Sequence, residues 1–259
     1  MKESVQTDDI ARRALAALDL TRLGEDDTPA DIEALCASAL GAGGPPAAVC
    51  VYPEHVQTSR RALETLGATG VRVATVVNFP DGSADAGRIE RETRRAVAAG
   101  ADEVDMVLPW RALADGDEAA VSQCLAAARE ASRGRVLKVI LESGALADPA
   151  LVRRAAGLAL DAGADFIKTS TGKVATGATA EAATVMLEAI RDRGGQAGFK
   201  ASGGVRTLAD AALYLGLADR LLGPGWATPQ HFRIGASGLL GEIRKALGGD
   251  SPATGGTAY

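Results

Sequence analysis

The chain has 259 residues, 47% of them hydrophobic and 24% charged, with a net charge of −5 at pH 7. These values fit a globular chain of one large α/β domain or two small ones, and exclude a disordered, collagenous or disulfide-stapled polypeptide. The acidic balance argues against nucleic acid or an anionic membrane as partner, and no apolar run reaches the 18 or so residues of a membrane span.

The opening residues, Met1-Lys-Glu-Ser, carry no apolar signal core, so the cytoplasm is the expected location. Short apolar runs then alternate with Ala-rich amphipathic stretches. The runs are 16–20, 47–52, 71–77, 103–108, 136–142, 165–169, 197–201 and 232–235. Each is too short for a helix and several are rich in β-branched residues, so they read as eight strands. Between them, 86–99 carries Glu90, Arg91, Arg94 and Arg95 on one face and stops at Gly100, and 179–191 opens on a capping Thr179 and stops at Gly194-Gly195. Gly-Ala-Asp recurs at 100–102 and 163–165, where Gly ends a helix and Asp leads into a strand. The acidic stretch Gly24-Glu-Asp-Asp27 reads as a solvated turn.

Strand–helix units recurring roughly every 25–35 residues imply a parallel sheet. Eight of them in this length give the expected fold class, α/β, as a (β/α)8 TIM barrel over residues 1–249. A doubly wound sheet would place a Gly-rich phosphate loop after strand one, where this chain has Thr21-Arg-Leu-Gly-Glu. The segment 250–259 is small, polar and Gly-rich, and reads as a flexible tail ending in Tyr259.

The scarce residues carry the chemistry. The 28 basic residues divide into 22 Arg and 6 Lys, yet Lys138, Lys168 and Lys200 fall inside apolar strands. In a barrel, inward groups at the C-terminal ends of strands form the site. Asp19, Asp105, Lys138, Glu142, Lys168 and Lys200 are the charged candidates, three acids against three amines. Lysine, unlike arginine, can shed its proton near neutral pH and act as a nucleophile. Burial and a neighbouring amine both push in that direction. Lys168-Thr-Ser-Thr-Gly-Lys173 and Lys200-Ala-Ser-Gly-Gly-Val-Arg206 both lead into loops suited to an anion, and Arg233-Ile-Gly-Ala-Ser237 closes the set. Phosphate in such barrels is commonly held by the loops after strands seven and eight. Only two histidines, His55 and His231, are present, so a three-His zinc site cannot come from this chain alone. Cys36, Cys50 and Cys124 show no paired spacing and read as reduced thiols. Cys36 and Cys124 fit core packing. Cys50 stands near the active end of strand two, where reaction with an electrophilic aldehyde is the one chemistry open to it. Trp110, Met106 and Phe79 read as packing near the barrel mouth.

These stretches closely resemble the deoxyribose-phosphate aldolase family, class I aldolases with a TIM barrel. The resemblance runs from Leu18-Asp-Leu-Thr21 to the last residue. It rests on Val49-Cys-Val-Tyr-Pro53, Ala74-Thr-Val-Val-Asn-Phe-Pro80, Gly100-Ala-Asp-Glu-Val-Asp105 and Leu137-Lys-Val-Ile-Leu-Glu142, and most specifically on Gly163-Ala-Asp-Phe-Ile-Lys-Thr-Ser-Thr-Gly172 and Phe199-Lys-Ala-Ser-Gly-Gly-Val-Arg206. Length and the final Ala-Tyr259 are similar to the enterobacterial branch. The resemblance implies reversible cleavage of 2-deoxy-D-ribose 5-phosphate to glyceraldehyde 3-phosphate and acetaldehyde, through a covalent imine with no metal or other cofactor. It implies Lys168 as the imine-forming lysine, Lys200 as the amine that depresses its pKa, and Asp105 as the proton carrier working with water. Asp19, Lys138 and Thr171 would support this network, and Tyr259 would help move a proton at the methyl carbon of bound acetaldehyde. Gly172, Lys173, Gly203, Gly204, Val205, Gly235, Ser237 and Gly238 would surround the phosphate. The family often forms homodimers, although no feature of this sequence bears on assembly. Three positions depart from the pattern: Gly238 where a second Ser is usual, Ala201 where Pro follows the strand-seven lysine, and Asp81 where His is common.

Two other readings of the residues stay open at this point. A different phosphosugar aldolase or isomerase would share the phosphate loops, and an isomerase would not need both Lys168 and Lys200. A non-catalytic phosphosugar-binding regulator would have no use for a perturbed amine.

Overall fold

The structure is a computed structural model that describes residues 2–249, with side chains from residue 7 onward. Eight parallel strands close into a barrel in sequence order: β1 Leu18–Thr21, β2 Ala48–Val51, β3 Arg72–Val77, β4 Glu103–Val107, β5 Val136–Ile140, β6 Phe166–Lys168, β7 Gly198–Ser202 and β8 Phe232–Ala236. β8 returns to pair with β1, so the sheet has no free edge. Helices follow the strands and cover the barrel, as the alternating pattern requires. Residues 250–259, and with them the expectations for the tail and Tyr259, lie outside the described residues. Among the described residues no helix is long and apolar enough to cross a membrane.

The strand periodicity of two divides the side chains. Outward residues such as Val49, Val73, Val104, Met106, Val139, Ile167, Phe199 and Ile234 join the helices in one large apolar core. Met106 therefore packs behind the barrel wall, whereas Phe79 stands at the mouth, edge-on to Tyr52 at 5.9 Å between ring centres. Inward residues split into two halves. Ala48 and Cys50 on β2 and Ala74 and Val76 on β3, with Leu23, form a small apolar patch. The remaining strands turn Asp19, Glu103, Asp105, Lys138, Lys168, Lys200 and Arg233 inward, all buried.

The floor of the lumen is filled by Phe166. A Cβ on Gly198 would stand 2.2 Å from the Phe166 ring, so β7 meets that ring with bare backbone. The Arg233 guanidinium lies 5.5 Å from the centre of the same ring.

The Gly-Ala-Asp repeat has a definite task. Gly100 and Gly163 take positive φ values of 100° and 81° and end the helices Ala86–Ala98 and Pro149–Asp161. The Asp102 and Asp165 carboxylates then accept backbone N–H bonds from Val73 and Leu137 on the preceding strands, at 2.9 and 2.8 Å. Each repeat thus ties a strand's entry to its neighbour.

Several boundaries differ from the sequence reading. β5 ends at Ile140, and Glu142 lies beyond it with φ +55°. The turn at 24–27 is solvated only in part. Glu25 and Asp26 are exposed, but the Asp27 side chain is 6% exposed, accepting from Gly24 N–H at 2.8 Å and pairing with Arg22 at 2.7 Å.

Candidate active site

Register builds the site. Asp105 on β4 stands beside Lys138 on β5, and Lys168 on β6 beside Lys200 on β7. The Lys168 ammonium lies 3.0 Å from Asp105 Oδ2. That oxygen also accepts from Lys200 Nζ at 2.7 Å, while Asp105 Oδ1 accepts from Lys138 Nζ at 2.8 Å. Lys200 reaches back to Asp19 Oδ2 at 2.5 Å. One carboxylate therefore serves three lysines, which brings Asp19, Asp105, Lys138, Lys168 and Lys200 together as the sequence predicted.

The lysines are not equivalent. Burial lowers the Lys168 pKa, Asp105 opposes that, and Lys200 adds to the lowering. Burial acts on Lys200 as well, but Asp105 and Asp19 outweigh it and hold its pKa above the ordinary lysine value. The same balance, struck by Asp105, Glu103 and Asp19, raises Lys138. Burial would raise Asp105, yet Lys138, Lys168 and Lys200 hold it well below the usual carboxylate range. At Lys168 burial and the neighbouring amine thus act in the same direction, with burial the larger cause. Lys200 keeps its own proton.

Glu142 is not in this network. Burial pushes its pKa up against the bonds from Thr171, whose hydroxyl donates to Oε2 at 2.6 Å and whose N–H donates to Oε1 at 3.2 Å. Thr171, predicted to support the lysines, is spent on Glu142 and accepts from Lys173 N–H at 3.0 Å. It shapes the loop after β6. Cys50 faces the lumen fully buried, and burial raises its pKa against the lysines around it. Burial thus works against the thiolate that reaction with an aldehyde would need.

The predicted phosphate residues lie on adjoining loops. Gly203 and Gly204 take φ values of 81° and 87° directly after β7. A Cβ on Gly203 would stand 3.1 Å from Gly177 Cα and 3.5 Å from Gly172 Cα, so the loops after β6 and β7 touch through glycines. Val205 is buried beneath them. Gly235 pairs with Ser202, and a Cβ there would stand 3.0 Å from Lys200 Cε. Ser237 is half-buried, and Gly238 is the exposed N-cap of the helix Leu239–Ala246, whose free N–H groups favour an anion. Lys173 is exposed, and its ammonium donates to Leu23 O at 2.8 Å across the mouth.

Two inward residues went unrecognised in the sequence. Glu103 accepts from Lys138 Nζ at 2.6 Å, and Arg233 forks onto Glu103 at 2.8 and 3.1 Å while bonding Asp19 Oδ1 at 2.7 Å. Both sit two residues before a recognised inward position, Asp105 or Gly235, and that spacing is the signal that could have found them. Among the described residues no group of three or more His, Cys, Asp or Glu could hold a metal ion.

A barrel with a desolvated lysine at the C-terminal end of a strand, a shared carboxylate beneath it and glycine loops above has the build of a carbon–carbon lyase. The pattern described as DeoC/LacD family aldolase matches residues 13–223. The chain belongs to that family and is an aldolase. It is similar to a protein of Coccidioides immitis assigned as a deoxyribose-phosphate aldolase, at 33% identity over 90% of this chain and 87% of that one, with a TM-score of 0.77. A Toxoplasma gondii protein with the same assignment gives 27% identity, 94% and 98% coverage and a TM-score of 0.87. The deoxyribose phosphate aldolase of Aeropyrum pernix, described as a tetramer, gives 26%, 95%, 96% and 0.71.

Proposed function

We propose that this aldolase cleaves 2-deoxy-D-ribose 5-phosphate reversibly to D-glyceraldehyde 3-phosphate and acetaldehyde through an imine on Lys168. The observation that carries the reading is Lys168 itself, buried at the end of β6 with its proton affinity lowered and Asp105 Oδ2 at 3.0 Å. The neutral amine attacks the aldehyde carbon of the open-chain sugar, and loss of water gives the imine. Removal of the proton from the 3-hydroxyl breaks the C2–C3 bond. Its electron pair flows into the imine, leaving an enamine on Lys168 and releasing glyceraldehyde 3-phosphate. Protonation of the enamine methylene and hydrolysis return acetaldehyde and the amine. The imine is the electron sink, so the scheme needs no metal or other cofactor.

Asp105, with water, is assigned the proton transfers; Lys200 and Lys138 hold it ionised and oriented, and Asp19 anchors Lys200. Gly172, Lys173, Gly203, Gly204, Val205, Gly235, Ser237 and Gly238 are assigned to the phosphate, and Thr171 to the loop that carries Gly172. Incubation with acetaldehyde and cyanoborohydride is expected to leave a two-carbon adduct on the peptide containing Lys168. An isomerase working by proton transfer, or a binding protein, would leave none.

Gly238 offers a specificity test. Its φ of −84° suits any residue, and a Cβ there meets nothing within 4 Å, so Gly238→Ser fits without strain. The added hydroxyl is expected to raise the kcat/KM ratio of phosphorylated over unphosphorylated deoxyribose about tenfold, the worth of one hydrogen bond to a charged group. An unchanged ratio would show that the phosphate is held without a donor at this position.

A proton-moving role is assigned to the Tyr259 phenol from the family resemblance. Tyr259→Phe is expected to lower kcat on the order of 100-fold while leaving the Lys168 adduct intact. Exchange of the acetaldehyde methyl protons with deuterium should slow in parallel, with Tm unchanged. Normal exchange would remove the phenol from the mechanism.

A further inference from the structure

Arg233 and Glu103 lie beneath the residues that touch substrate in the proposed mechanism, on the lumen floor. Their bonds nevertheless lead to Lys168. Asp19 divides its oxygens, with Oδ1 on Arg233 and Oδ2 on Lys200. Asp105 divides its own, with Oδ1 on Lys138 and Oδ2 shared by Lys200 and Lys168. Lys138 in turn is held by Glu103 at 2.6 Å as well as by Asp105. Lys138 also lies 3.5 Å from Asp19 Oδ2. Each carboxylate oxygen in the lumen is thus committed, so a lysine that loses a partner leans harder on Asp19 and Asp105. The charges do not cancel either. Asp19, Glu103 and Asp105 face Lys138, Lys168, Lys200 and Arg233, so one base is in excess.

We propose that Arg233 and Glu103 are positioning residues that act through this relay: Arg233 draws Asp19 toward the floor, Glu103 draws Lys138 there, and together they fix how much of Asp105 is left for Lys168. The inference rests on the imine-forming role assigned to Lys168. The excess base is then Lys168, the one lumen cation whose proton is loosened. The other groups facing it are few. Lys200 stands on β7, Asp105 on β4, Lys138 on β5 with Glu142 beyond it, Asp19 on β1, and Cys50, whose pKa burial raises, on β2. β3 offers Ala74 and Val76, and β8 offers Gly235 above Arg233.

The two residues should act with opposite signs. Arg233→Met frees Asp19 for Lys200, releases Asp105 toward Lys168 and keeps Lys168 protonated to higher pH. Glu103→Gln throws Lys138 onto Asp105 and Asp19; as Asp19 is drawn from Lys200, Lys200 also leans on Asp105, and both routes deprive Lys168. The readout is the pH midpoint of Lys168 carbamylation by cyanate, followed by peptide mass spectrometry, which needs no aldolase chemistry. Acetaldehyde trapping is run alongside. Arg233→Met is expected to move the midpoint up by about one pH unit, a tenfold slower reaction at fixed pH below it. Glu103→Gln should move it down by a similar amount, the double variant should return near the wild-type value, and Arg233→Lys should leave it in place. If Arg233→Met does not fold, the downward shift in the near-isosteric Glu103→Gln carries the test. Midpoints that stay fixed, or that move the same way in both single variants, overturn the inference. A Lys168 acetaldehyde adduct in the wild type together with unmoved midpoints overturns this inference and leaves the aldolase scheme intact. Midpoints that move as stated without any adduct support the relay and overturn the scheme.

Discussion

Lys168→Arg is expected to abolish turnover and acetaldehyde trapping together, by on the order of 10⁴-fold or more, the scale on which enzymes lose activity when a nucleophile is removed. Arginine keeps a cation facing Asp105 but holds its proton at any usable pH, so no lone pair is available for the carbonyl. Because Lys168 bonds the lumen through a single 3.0 Å contact, the fold should survive the exchange. Trapping that persists on Lys138 or Lys200 would move the nucleophile elsewhere in the cluster. The structure argues against that, since both are fully buried and hold their protons more firmly than free lysine.

Lys200→Leu is expected to act on both stability and pH dependence. The Lys200 ammonium joins Asp19 and Asp105 at 2.5 and 2.7 Å, all three fully buried. Removing one partner from a buried ion network costs about 3–5 kcal/mol, a fall in Tm on the order of 10 °C for a chain of this size. The second effect follows from the geometry. With Lys200 gone, Asp105 Oδ2 is left to Lys168 alone and like-charge repulsion disappears, so the Lys168 proton is held more tightly. Activity at neutral pH should fall and partly recover as pH rises. A destabilised variant with an unchanged pH profile would confine Lys200 to holding the barrel together.

The barrel was legible because its signal is repetitive. Eight apolar runs at even spacing admit few topologies, and Gly-Ala-Asp marks two strand entries directly. Lys168 and Lys200 stood out because a buried-strand lysine conflicts with its surroundings, and that conflict is itself visible in sequence. Arg233 was overlooked for the opposite reason. In a chain with 22 arginines, one more after an apolar residue carries little contrast. Glu103 was masked by Asp105 two residues on, although the strand alternation turns both inward. Glu142 was placed in the lumen because the apolar run continues to Leu141, whereas the chain turns through a left-handed conformation and aims the carboxylate at Thr171. Such a turn depends on the neighbouring loop, which a single segment does not encode.

The Phe166 plug against Gly198, backed by the Arg233–Glu103 fork, leaves the lumen a cul-de-sac. In the proposed imine scheme, sugar, aldehyde and water then reach Lys168 from the loop side of the barrel. In that scheme the water that hydrolyses the last imine enters from the side by which the three-carbon fragment leaves, so departure of the first product clears the way for the reagent that releases the second.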